Sequence, residues 1–190
     1  MRLHWHFLNR IVAASLLALV FCTPFSGPVG ANEGRLDALM ADLLVADESN
    51  ALRIARDIEH EWSLSGSSAA DLLLKRGTDA LEAGEIKHAI EHLTALTDHA
   101  PDFAEGWHRR AMAYAQAEKL GPALADLERV LMLEPRHFNA LVSLGSILQE
   151  VGFPDLAAEA FSQALALYPH HPQAQASLDA ADAEIGGSEL

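Results

Sequence analysis

Across 190 residues the chain carries 13 basic and 27 acidic side chains, a formal charge of −14 at neutral pH, with a single cysteine. So acidic a chain is poorly suited to nucleic acid or anionic lipid, which reward dense Lys and Arg. One cysteine also excludes a disulfide framework within the chain.

The first element in chain order is an export-signal pattern over residues 1–31. Arg2 and Arg10 precede an uncharged apolar run from Ile11 to Cys22, Thr23 to Pro28 break it, and Val29-Gly30-Ala31 supplies the small residues that signal peptidase needs. The apolar run is about half of the roughly 20 residues a membrane span requires. Cleavage after Ala31 is therefore expected, leaving no stable membrane span. Phe21 is bulky where a lipobox has Gly or Ala, which disfavours lipoprotein anchoring through Cys22. Without the signal, 11 basic residues face 27 acidic ones, a balance of −16, and thiol chemistry is excluded.

Residues 32–68 read as two helices. Leu36, Leu39, Met40, Leu43 and Leu44 follow helical spacing, as do Leu52, Ile54, Ala55, Ile58 and Trp62, with a polar turn from Asp47 to Asn50 between them. Ser68 is the expected N-cap of the helix that follows. The hairpin is expected to be a degenerate repeat or cap over the exposed edge of the next unit.

From residue 69 to 171 the chain repeats every 34 residues. Leu73, Trp107 and Leu141 fall in one column, Gly77, Ala111 and Gly145 in the next, then Ala89, Ala123 and Ala157, then Leu93, Leu127 and Phe161, and finally Pro101, Pro135 and Pro169. Small residues let paired helices approach, large ones fill the adjoining space, and each proline ends a unit. This pattern resembles the tetratricopeptide repeat, or TPR, a helix-turn-helix unit of that length. The resemblance implies an all-α, right-handed α-solenoid of three units (70–103, 104–137 and 138–171), flanked by the N-terminal hairpin and a C-terminal capping helix and tail over 172–190. Two departures stand out. Arg76 and Arg110 occupy a normally apolar column and are expected to lie partly exposed, and Glu118 replaces the turn glycine present as Gly84 and Gly152.

Within the first unit, Glu85 to Leu93 reads EIKHAIEHL, so His88, Glu91 and His92 spell the H-x-x-E-H signature of one class of zinc peptidases. A catalytic zinc needs a third protein ligand in a cleft, and none is identifiable. The repeat register instead puts His88 and His92 on a second helix, on the outer wall, as a solvated pair whose only metal role would be as a binding site. After Pro172 one more helix is expected from Gln173 to Ile185, with a frayed end over 186–190.

No catalytic constellation, Gly-rich phosphate loop or cofactor signature occurs, so an enzyme is not expected and no cofactor is implied. The resemblance implies a protein or peptide partner bound on the concave face lined by the first helices. By register that face presents Leu74, Thr78 and Leu81 from the first unit, His108, Arg109, Met112 and Gln116 from the second, and Asn139, Val142, Ser146 and Gln149 from the third. Members that grip a free C-terminal carboxylate use Lys, Arg and Asn there. In this chain Leu74, Thr78, Asn139 and Ser143 hold most of those places and only Arg109 is basic, so that clamp is not formed. Arg109 has a competing partner in Glu105, one turn earlier. With the export signal, these features imply a scaffold or adaptor in a bacterial periplasm, serving cell-envelope assembly or maintenance with an envelope protein as partner. The alternatives are a self-associating structural protein, or metal binding through His88 and His92.

Overall fold

The structure is a computed structural model that describes residues 31–188, with side chains from 34 to 187. The expected signal segment, Cys22 included, lies outside the described residues except for Ala31. Nine α-helices and no strand occur among the described residues: α1 (Ala31–Val45), α2 (Glu48–Trp62), α3 (Ser68–Glu82), α4 (Ile86–His99), α5 (Ala104–Gln116), α6 (Leu120–Leu133), α7 (Phe138–Glu150), α8 (Pro154–Leu167) and α9 (Ala174–Ser188). Helices pair as α3–α4, α5–α6 and α7–α8, and successive pairs stack, with α9 closing against α8. None of these helices is long and apolar enough to cross a membrane.

The repeat columns do the work that their types allow. A Cβ placed on Gly77 would lie 2.5 Å from Leu93, and one on Gly145 would lie 2.5 Å from the Phe161 ring, so these helices cross where no side chain fits. Leu93, Leu127 and Phe161 are fully buried against the small column. Helix ends follow local chemistry. Asp47 caps α2 by accepting from Asn50 N–H, and the hydrogen bonds of Ser49 and Asn50 lower its pKa to about 2. Ser67 caps α3, one residue ahead of the expected Ser68. Helix α9 runs on to Ser188 through Gly186 and Gly187, where a frayed end was expected.

The inter-helix turns need a left-handed residue. Gly84 and Gly152 take φ of 73° and 81°, and Glu118 takes 57°, the one non-glycine residue with positive φ among those described. An L side chain pays for that conformation with about 1 kcal/mol. Glu118 is exposed, so Glu118→Gly is expected to raise stability by about 0.5–1 kcal/mol. A chemical-denaturation midpoint that fails to rise would show that the turn carries no such strain.

Arg110 keeps partial exposure, as expected, but its charged end is held by the protein. Its Nε and Nη2 donate to the two oxygens of Asp126 at 2.7 and 2.8 Å, and its Nη1 donates to Thr97 Oγ1 at 2.7 Å. Its guanidinium also lies over the Trp107 ring at 4.7 Å. The hydrogen bond from Arg110 to Asp126 is the main cause that raises its pKa. Since Thr97 lies on α4, this buried group ties the first unit to the second.

The seat of the N-terminal hairpin differs from the expectation that it covers the first unit. Helix α2 has no extensive packing on α3, whereas α1 touches α8. Met40, Leu43, Ile54, Ile58 and Trp62 form one buried cluster with Phe138 and Tyr168 of the third unit. The hairpin therefore reaches past the first unit and packs on the start of α7 and the end of α8, while α9 closes the array. Leu44 and Leu52, expected inside, remain about half exposed, because the hairpin buries only the faces carrying Met40, Leu43, Ile54 and Ile58.

Candidate functional site

First helices α5 and α7 form the floor of a concave groove enclosing about 520 Å³, lined by His108, Arg109, Met112, Gln116, Asn139, Val142, Ser146 and Ile147. Glu150, Glu59 of the hairpin, and His171 and Gln173 ahead of α9 complete its edge. Seven residues expected on the concave face are thus brought together: His108, Arg109, Met112, Gln116, Asn139, Val142 and Ser146. The other four are not in the lining. Leu74 and Leu81 are buried in the cluster between α3, α4 and α5. Thr78 lies on α3, and Gln149 donates to Glu184 of α9 at 3.4 Å.

A buried polar network lies beneath the floor. Glu105 is 4% exposed. It accepts from Arg109 Nε, from His137 Nε2 at 3.1 Å and from His108 Nδ1 at 3.4 Å. Burial alone would raise the Glu105 pKa, but these donors outweigh it and hold the carboxyl well below its ordinary value. Burial pushes His108 down, aided by His137 and Arg109 and opposed by Glu105. The network is therefore a Glu105–Arg109 ion pair to which the His108 and His137 imidazoles also hydrogen-bond.

His137 and His171 share a repeat column, and each caps a helix. His137 Nδ1 accepts from Ala140 N–H at 3.2 Å, and His171 Nδ1 accepts from Gln173 and Ala174 N–H at 3.3 and 3.2 Å. With Nδ1 used as an acceptor, the ring proton of each neutral imidazole sits on Nε2. That proton goes to Glu105 from His137, and from His171 to Asn139 Oδ1 at 3.2 Å. Glu105 and Asn139 are themselves one repeat apart. The sequence held this signal in the columns Phe103, His137, His171 and Glu105, Asn139, Gln173, which read as polar exceptions to the apolar pattern.

Glu105, His108 and His137 lie close enough to suggest a metal-ligand set, but their hydrogen bonding opposes one. A cation on His137 Nε2 would displace the proton there and cost α7 its cap, and Arg109 already neutralises Glu105. The pair His88 and His92 sits elsewhere, in a shallow hollow with Arg76, Asp79 and Glu85. His92 occupies the repeat column of Asp126, and Arg76 lines the same hollow. His88 is exposed, with Nδ1 3.4 Å from Glu85. A neighbouring guanidinium is a poor companion for a bound cation.

These pKa shifts have a pH consequence. His108 and His171 are both lowered, His171 chiefly by burial with Glu59 opposing. Below about pH 6.5 the unfolded chain takes up protons at these positions that the folded chain refuses, so stability falls as pH drops. Glu105 adds a loss at lower pH, once its unfolded carboxyl protonates. Urea midpoints are expected to be lower at pH 5.5 than at pH 7.5, with a smaller difference in His108→Gln. Equal wild-type midpoints would contradict the neutral assignment.

Comparison with known proteins agrees with this geometry. The model of the family described as Tetratricopeptide repeat matches residues 74–136 and 142–186. A TPR repeat-containing protein of Rhizobium etli is 33% identical over 155 residues, 81% of this chain and 76% of that protein. Human DnaJ homolog subfamily C member 3 is 29% identical over 62% of this chain, which covers 24% of its length. Among solved structures, the first TPR of Spaghetti bound to an HSP90 peptide superposes with a TM-score of 0.61 at 22% identity, covering 63% of this chain and 95% of that one. MamA superposes with a TM-score of 0.59 at 23% identity, covering 74% of this chain and 80% of its own. At such identities the structural likeness speaks for the fold.

Proposed function

This chain belongs to the tetratricopeptide repeat family, and from that premise we propose that it is a non-catalytic scaffold or adaptor that holds a segment of a partner protein in its concave groove. The observation that carries this reading is the groove itself. Met112, Val142 and Ile147 give it an apolar floor, Glu150 stands at its edge, and its one cation, Arg109, is already held by Glu105. Such a surface suits a segment with apolar anchors and basic character. A free carboxylate suits it poorly, because Asn139 is engaged by Glu59 and His171. Support for the compartment comes from the sequence of residues 1–31, and we place the protein in a bacterial periplasm, with an envelope protein as partner and a role in envelope assembly or maintenance.

Capture from the periplasmic fraction tests this. Wild-type protein is expected to retain a partner that Met112→Arg with Ser146→Arg loses while keeping its helical circular dichroism, because the pair reverses the groove's charge. Retention of the same partner by the folded variant would move the working surface away from the groove.

A further inference from the structure

The hairpin α1–α2 reaches the groove without being built into the array. A five-residue link, Ser63 to Ser67, joins it to α3, and it packs on the N-terminal end of α7 and the end of α8 instead of on its sequence neighbour. At this seam the Trp62 ring stacks on His137 with centroids 4.2 Å apart, and Phe138 lies tilted against Trp62 and edge-on to Tyr168. Glu59 Oε1 accepts from Asn139 Nδ2 at 2.8 Å, and Asp37 accepts from Arg136 Nη1 at 2.6 Å.

Two features make this contact exchangeable. Among the buried side-chain polar atoms described, Trp62 Nε1 and Tyr168 Oη have no hydrogen-bond partner in the protein, and both lie in this one seam. Burying a donor unpaired works against the apolar gain of docking, and release to water restores its hydrogen bonds. The link also lets the hairpin leave while α3 through α9 keep their contacts with one another, since α2 has no extensive packing on α3. Asn139, meanwhile, can meet a partner on the groove floor only if Glu59 gives it up.

We propose that the hairpin is an internal competitor for the Asn139 end of the groove, so that a partner segment binds fully only when α1–α2 is released. This rests on the groove reading above and adds regulation to it. Docking lowers the apparent affinity for a partner by the fraction of molecules whose groove is open.

The test uses the full chain in a Cys22→Ser background, with a fluorescein-labelled peptide of three Lys-Leu-Leu-Lys repeats as probe. Asp37→Cys with Arg136→Cys, joined by a short cleavable thiol crosslinker, locks the hairpin without altering the groove lining. Trp62→Ala loosens it, with release read from hydrogen exchange in α1–α2. The locked form is expected to bind the probe at least about tenfold more weakly than wild type and to recover on cleavage, and Trp62→Ala to bind about tenfold more tightly. Should Trp62→Ala fail to fold, the locked and cleaved forms decide alone. Equal affinity of locked, cleaved and wild-type protein, with binding still abolished by Met112→Arg, would overturn the competition and leave the groove reading standing. Binding by no form, or binding indifferent to Met112→Arg, would overturn both.

Discussion

Asp126→Ala is expected to lower stability by about 3 kcal/mol, because it leaves the Arg110 guanidinium largely buried without its carboxylate. The Arg110 and Asp126 side chains are 12% and 6% exposed, so little water is available to replace the pair. At this chain length the loss corresponds to a drop of about 10 °C in Tm. The effect should be local in origin. Arg110 also donates to Thr97 on α4, so hydrogen exchange in α3 and α4 is expected to accelerate most. Removing both charges is a different matter. Arg110→Met with Asp126→Leu keeps the volume and leaves no orphaned charge, so the double variant should recover most of the stability. Thr97 does not suffer, since its hydroxyl already donates to Thr94 O at 3.1 Å. A double variant as unstable as Asp126→Ala would mean that the pair itself, and not the unpaired charge, sets the cost.

Gly145→Ala should cost about 2 kcal/mol, an overpacking penalty. The added methyl would approach Phe161 Cε1 to 2.5 Å, and a rigid ring on a fully buried residue cannot swing aside as an alkyl end can. The second unit shows the tolerated alternative, with Ala111 in the small column and Leu127 in the large one. Gly145→Ala combined with Phe161→Leu reproduces that combination. Denaturation of the two single variants and the double should therefore give a double-variant cost well below the sum, with a coupling of about 1 kcal/mol or more. Strict additivity would show that these columns do not touch in the way their spacing implies.

Much of the fold was legible in the sequence because the array repeats one packing problem. Each column has one physical task, and three units state it three times, so Gly77, Leu93 and Pro101 can be read with their counterparts. The relation between Arg110 and Asp126 was harder to see. The same two columns hold Arg76 and His92 in the first unit and Leu144 and Ala160 in the third, so the ion pair occurs in one unit of three and no column announces it. The hairpin's seat was hidden for a different reason. Its apolar positions specify that it must be covered, but nothing in residues 32–68 states whether the first or third unit does so, and the choice depends on the shape of Trp62 against His137, Phe138 and Tyr168. Of the concave face, the positions on α5 and α7 followed the register except Gln149, which turns to Glu184 of α9. Leu74 and Leu81 did not, because α3 turns those side chains into its contact with α4 and α5.

The histidines show the same limit. His88 and His92 attracted attention as a motif, yet His137 and His171 organise the groove, and only their Nδ1 acceptors at helix starts reveal it. A periodic polar exception is a subtler signal than a short signature, and here it is the informative one.

The most direct test of the groove as the working surface is site-specific photocrosslinking in cells, with the photoreactive residue at Met112 in the groove or at Met132, which is 67% exposed and outside its lining. A crosslink to another protein from position 112 and none from position 132 is the expected result. Crosslinks from position 132 alone, or from position 112 only to a second copy of this chain, would contradict it.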